Sequence, residues 1–127
     1  MHPPDSAFHM PLLLVVYDPQ LRAMLRKLLM MRGFRLGEAE DAAGALAILA
    51  GLGGAVALVI TDNQLADTNG ADLARRAKQQ FPGLRVLLLS HTRSLIDYPF
   101  CDGLLCKPFM PADLDEAIRS QLAGPAQ

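Results

Sequence analysis

The chain has 127 residues, of which 51% are hydrophobic and 20% charged, and its net charge is −1. That length suits one domain with a core of its own, and the near balance of 12 basic and 13 acidic residues gives no electrostatic reason to expect nucleic acid as a partner. No apolar run reaches the roughly 18 residues of a membrane span, and the start, Met1-His2-Pro3-Pro4-Asp5-Ser6, lacks the basic and apolar stretches of a signal peptide, so a cytoplasmic protein without a membrane partner is expected.

Residues 1–10 are rich in proline and small residues and read as a flexible N-terminus, with no role for His2 or His9; residues 124–127 read as a linker-like tail. The folded domain is expected over 11–123. It opens with Leu12-Leu13-Leu14-Val15-Val16-Tyr17, a continuous apolar run suited to a strand buried on both faces. Asp18-Pro19 then supplies a helix cap with proline in the first turn. Leu21, Met24, Leu25, Leu28 and Leu29 recur at helical spacing, and Gly33 ends the helix. A short strand over Phe34 to Glu38 follows. Asp41 caps a second helix with Ala42, Leu46, Ala47, Leu49 and Ala50 on its packing side, closed by Gly51, Gly53 and Gly54.

Ala55-Val56-Ala57-Leu58-Val59-Ile60-Thr61 is a second buried run, ended by Asp62. A polar loop from Asn63 to Gly70 leads to a third helix bearing Leu73, Ala74, Ala77 and Phe81, stopped by Pro82-Gly83. Leu84-Arg85-Val86-Leu87-Leu88-Leu89-Ser90 is a third run, and Leu104-Leu105-Cys106 a last short strand before Lys107-Pro108. Between them only Thr92 to about Asp97 is available for a fourth helix before Tyr98-Pro99 interrupts it. Pro111 opens the final helix, with Leu114, Ala117, Ile118 and Leu122. Cys101 and Cys106 form no CxxC pair and read as small, at least half-buried hydrophobes in a reducing compartment. Met24, Met30 and Met31 read as packing residues, and the arginines and lysines of the first and third helices as solvated faces.

Alternation of apolar strands with helices predicts a parallel sheet covered on both faces, here a flavodoxin-like doubly wound α/β fold of five strands in the order 2-1-3-4-5, with a shortened fourth helix. Ligands of such folds bind beyond the carboxyl ends of the strands, at the switch point between the first and third. The residues found there are Asp18, Asp62, Ser90 and Lys107. Two carboxylates, a hydroxyl and an ammonium suit phosphoryl chemistry. An aspartate oxygen attacks phosphorus to give an acyl phosphate. Mg²⁺ neutralises the approach of two anions and takes one or two carboxylates plus water, with Asp18, Asp62 and a loop carbonyl as donors. Lys107 pairs with phosphoryl oxygens, and the Ser90 hydroxyl hydrogen-bonds one of them.

Over about residues 11 to 123 the chain resembles the receiver domains of two-component signalling, through LLLVVYD, ALVITDNQLADTNGADL, VLLLS and LLCKPF. The resemblance implies Asp62 as phosphoacceptor and Asp18, Asp62 and the Gln64 backbone carbonyl as Mg²⁺ ligands. It also implies Ser90 as a switch hydroxyl, Lys107 as the phosphate-pairing lysine and a cis Lys107-Pro108 bond. The partners implied are a histidine kinase or phosphotransfer protein, and an output domain or target protein. Such a domain catalyses its own modification and is no enzyme.

The departures from the pattern lie close to that site. Tyr17 stands where the first acid of a pair is usual, and a phenol of pKa about 10 is a poor metal ligand, so weak Mg²⁺ binding is expected. Asp67 is a candidate replacement from the loop. Ala66 replaces a proline, Asn69 an acid, and His91 a very small residue at the mouth of the site. Leu104 replaces an aromatic side chain that moves on activation. These departures motivate an alternative, a pseudo-receiver acting as a phosphorylation-independent interaction module. A small aspartyl phosphatase is disfavoured, because Asp62-Asn63-Gln64 has no second acid two residues on.

Overall fold

Strand β1 (Leu12–Val15) is buried along its whole length, as its unbroken run of apolar side chains requires. The same holds for β3 (Leu58–Asp62) and β4 (Val86–Ser90). The edge strands β2 (Leu36–Ala39) and β5 (Gly103–Cys106) are largely half-buried. In this computed structural model, which describes residues 10–123, the strands form one parallel sheet in the order β2-β1-β3-β4-β5. The proposed flexible segment up to residue 9 and the tail 124–127 lie outside the described residues.

Successive side chains on a strand point to opposite faces, and this alternation builds two cores. Leu13, Val15, Val59, Val86 and Leu88 face α2 (Ala42–Gly51) and α3 (Gly70–Gln80), meeting Ala45, Leu49, Leu73 and Ala77. Leu12, Leu14, Ile60, Leu87 and Leu89 face α1 (Pro19–Met31) and α4 (Pro111–Leu122), meeting Leu25, Leu29, Leu114 and Ile118.

Three details differ from the sequence expectation. Strand β2 begins later, because Phe34 is drawn into the core between α1 and α4, where Arg119 lies over its ring at 5.5 Å. Met24, Met30 and Met31 are not packing residues: they are 59%, 58% and 75% exposed, since Leu25 and Leu29 already fill the inward stripe of α1. The expected fourth helix is a single 3-10 turn, Leu95–Asp97, capped by Ser94. Asp102 anchors the segment after this turn by accepting from Lys78 Nζ at 2.7 Å and Val86 N at 2.8 Å. The reduced turn leaves Ile96 88% exposed and Phe100 44% exposed. Cys101 is buried beside Asp102, and burial pushes its thiol up to about 11; both cysteines are free.

Leu88 has no exposed surface and sits mid-strand against the α2–α3 layer. Leu88→Ala is expected to cost about 3 kcal/mol of unfolding free energy, read as a lowered urea midpoint at an unchanged m-value.

Candidate functional site

The ends of β3, β4 and β5 meet at one point. Ladder register pairs Asp62 with Leu89 and Ser90 with Cys106, so residues 62, 90 and 107 stand on neighbouring strand ends. Asp62 closes a strand of four wholly buried residues and is itself only 9% exposed. A carboxylate in that setting requires a charged or hydrogen-bonding partner. It has two: Lys107 Nζ and Asn63 N both donate to Oδ1 at 2.8 Å. Both bonds fall on Oδ1. Lys107 is held in turn by its own N–H, which donates to Ser90 O at 2.8 Å, and the Lys107–Pro108 bond is cis. Ser90 is buried, and its Oγ accepts from Thr92 N at 3.3 Å. Asp62, Asn63, Gln64, Ser90 and Lys107 line one pocket, with exposed His91 and half-buried Tyr98 at its side.

Asp18 is placed differently from these three. Val15 lies opposite Thr61 as the last pair of the β1–β3 ladder, and Val16 just beyond it is fully buried. Tyr17 is 54% exposed, and Asp18 is the exposed N-cap of α1, its Oδ1 accepting from Gln20 N at 3.2 Å. It is not among the residues lining the Asp62 pocket. The end of β1 is secured by Arg22, whose Nη1 donates to Val16 O at 2.6 Å and Tyr17 O at 3.2 Å while the guanidinium pairs with Glu38.

Asp67 does not compensate for Tyr17. Its two oxygens accept from Ala42 N and Ala43 N, each at 2.9 Å. Together with Asp41, which accepts from Gly44 N at 2.8 Å, it satisfies the first turn of α2, where N–H groups have no intrahelical partner. The N–H of Ala42 and then that of Ala43 hold the Asp67 carboxyl below its ordinary range. The loop after β3 is thereby tied to the next layer. Gln64 and Asn69 form an antiparallel bridge, Asn69 caps α3 by accepting from Asp72 N at 2.8 Å, and Gly70 N donates to Asn63 O at 2.8 Å. A side chain at Gly70 would bring its Cβ to 2.5 Å from Asp62 O and 2.8 Å from Leu88 Cδ1. Glycine is thus required where α3 passes the acceptor strand.

Sequence reasoning missed the capping role of Asp67, the bonds of Arg22 to the end of β1 and the burial of the Asn63 oxygen. Asp67 acts 25 residues from its partner, a separation with no local signal. In sequence Asn63 is only the start of a loop, yet its Oδ1 is a buried oxygen that no donor among the described residues reaches. As a test for Mg²⁺, no three His, Cys, Asp or Glu residues are grouped to hold a metal among the described residues. The pocket offers one carboxylate, Asp62, and the amide oxygen of Gln64. Hard oxygens with a single carboxylate fit a Mg²⁺ ion that keeps most of its water.

A parallel, doubly wound five-stranded sheet carries a buried carboxylate and a lysine paired beyond the carboxyl ends of its strands. The chain belongs to the response regulator receiver domain family, whose model matches residues 12–119, and it is the receiver domain of a two-component response regulator. It is 34% identical to protein PetR of Rhodobacter capsulatus over 107 residues, 81% of this chain and 44% of that protein. Over 75 residues, 54% of this chain and 35% of the relative, it is 43% identical to transcriptional activator protein ExaE of Pseudomonas putida. The chain thus spans less than half the length of either relative. Among solved structures, the signal receiver domain of an HD domain-containing protein from Pseudomonas fluorescens Pf-5 is 30% identical with a TM-score of 0.79, covering 90% of this chain and 88% of that one. A LuxR-family response regulator from Aurantimonas is 25% identical with a TM-score of 0.80, covering 91% and 86%.

Because the folded-state pKa of Asp67 is depressed, its stabilisation is complete above the ordinary carboxylate pKa and fades as pH falls through the lower folded value. Asp67→Ala is therefore expected to lower the denaturation midpoint at pH 7, and the gap from wild type should narrow below about pH 4. Denaturant titrations at the two pH values measure this; a gap that widens in acid contradicts the capping role.

Proposed function

We propose that this domain accepts a phosphoryl group on Asp62 and signals through the resulting change at the ends of β4 and β5. The observation that carries the reading is the 2.8 Å pair between Lys107 Nζ and the buried Asp62 carboxylate, set beside Ser90 in a pocket open to solvent. With Oδ1 held by two donors, Oδ2 is the freer nucleophile. It attacks phosphorus, the P–N bond of a phosphohistidine or the P–O bond of an acyl phosphate breaks, and the leaving imidazole or carboxylate takes the bonding electrons. Lys107 then exchanges part of its pairing with Asp62 for the new phosphoryl oxygens. The Ser90 hydroxyl leaves Thr92 N and donates to one of them, which pulls on the segment from His91 to Tyr98.

Mg²⁺, when bound, offsets the repulsion between carboxylate and phosphoryl donor. Asp18, Asp62 and the Gln64 carbonyl are its proposed ligands; Asp18 caps α1 through Oδ1 alone, which leaves Oδ2 for the ion. Weak binding follows from Tyr17, which stands where the resemblance implies a further acid. The proposed donor is a histidine kinase or phosphotransfer protein and the proposed receiver of the signal an output domain or target protein. The name transcriptional activator, carried by one relative, favours a link to transcription. A cytoplasmic setting goes with this reading; among the described residues no helix is long and apolar enough to cross a membrane.

Tyr17 in place of an acid, His91, and the single 3-10 turn where a fourth helix is usual favour the second reading, a phosphorylation-independent interaction module. Intact mass after incubation with acetyl phosphate and Mg²⁺ separates the two. One phosphate is expected on the wild type, none on Asp62→Ala, none in EDTA, and a loss of at least about tenfold in rate for Lys107→Ala. No gain on a folded wild-type chain, with the donor active on another receiver, selects the interaction module.

A further inference from the structure

We propose that His91 is the general base for hydrolysis of the acyl phosphate on Asp62, so that the domain times its own return to the resting state. The proposal rests on the reading of Asp62 as the acceptor and names the group that ends its phosphorylated state. His91 and Lys107 are the two residues shared by the Asp62 pocket and the adjoining apolar cleft of Leu21, Met24, Pro108 and Phe109. The exposed imidazole therefore stands where the acceptor pocket opens onto the surface. Its stem is fixed: Lys107 N donates to Ser90 O at 2.8 Å, Thr92 N to Ser90 Oγ at 3.3 Å and Cys106 Sγ to His91 O at 3.5 Å. Its ring is free: among the described residues no hydrogen bond or ion pair engages it, whereas Lys107 is committed to Asp62.

Hydrolysis at phosphorus requires a water in line with the bond that breaks, on the side of phosphorus away from Asp62. That side is the mouth of the pocket. The pocket, about 290 Å³ in volume, has room beside a phosphoryl group for a water, whose share of liquid volume is about 30 Å³. Of the other side chains that line it, Lys107 is a paired cation, Asn63 and Gln64 are amides, Ser90 and Thr92 are alcohols and Tyr98 is a phenol. A neutral imidazole is the one among them suited to taking a proton from water. The water oxygen bonds to phosphorus while an imidazole nitrogen takes its proton. The bond between phosphorus and the Asp62 oxygen breaks, its electron pair returns to the carboxylate, and inorganic phosphate leaves. The imidazolium then gives its proton to solvent. A side chain that only shielded phosphorus from water would act in the opposite sense, and its removal would speed the decay.

The test uses the full chain, loaded with acetyl phosphate and Mg²⁺, freed of donor by rapid desalting into Mg²⁺ buffer, and followed by intact mass as the phosphorylated fraction decays. His91→Ala and His91→Gln, the second of which keeps bulk at the mouth and loses the base, are both expected to slow the decay at least about tenfold. Added imidazole is expected to restore most of the lost rate to His91→Ala, which has space for it, and to leave His91→Gln slow. Circular dichroism checks that each variant is folded. Decay unchanged or faster in His91→Ala, decay at the wild-type rate in His91→Gln, or an equal response of the two variants to imidazole overturns the proposal. A wild type that gains a phosphate and loses it at a rate indifferent to residue 91 removes the base and leaves the acceptor. A folded wild type that gains none removes both.

Discussion

The pairing of Asp62 with Lys107 is the interaction on which the rest of the site depends. A strand as apolar as β3 can end in a carboxylate inside the domain only if a positive charge meets it there. That charge comes from the residue after β5, two strands away across β4. The pair therefore forms only when β3, β4 and β5 have all docked in register. Lys107 is placed further by its own N–H on Ser90 O, so the three polar groups are fixed by the same ladder that closes the hydrophobic cores. An ion pair of this kind contributes little net stability against an apolar substitute, and a domain that only needed to fold would be served as well by a leucine at residue 62.

The loop after Asp62 shows how a surface segment is made rigid without a core of its own. Asp67 reaches back to the first turn of α2, Asn69 caps α3, and Gly70 lets the helix start against the Asp62 carbonyl. The far side of the site is built differently. Where a fourth helix is usual, a 3-10 turn and the Asp102 anchor suffice, and Ile96 and Phe100 face solvent. The acceptor side is thus tightly bound to the scaffold, while the segment after Ser90 is short and lightly held, the arrangement expected of a part that moves.

Much of this was legible in the sequence because it follows from periodicity. Three apolar runs give the buried strands and the positions of Asp18, Asp62 and Ser90 at their ends, and the short run Leu104-Leu105-Cys106 gives that of Lys107. Asp18-Pro19 and Asp41 signal their helix starts. What stayed hidden depends on packing between distant segments. Whether Met24, Met30 and Met31 face inward turns on which stripe of α1 the sheet accepts, and the leucines fill it. The reach of Arg22 to the Val16 and Tyr17 carbonyls is a tertiary fact. So is the direction of Asp67, whose partners lie in another layer. Asn63 carried no pattern at all; its buried oxygen is visible only once the loop is folded.

Borohydride trapping tests the central claim most directly. An aspartyl phosphate is a reactive acyl derivative that borohydride reduces to homoserine, whereas a free carboxylate is untouched. After exposure of the chain to acetyl phosphate and Mg²⁺, reduction and peptide mapping by mass spectrometry should find homoserine at position 62 and at no other aspartate. Homoserine at Asp18 or Asp67, or none in a folded chain treated beside a receiver that does label, would contradict the account.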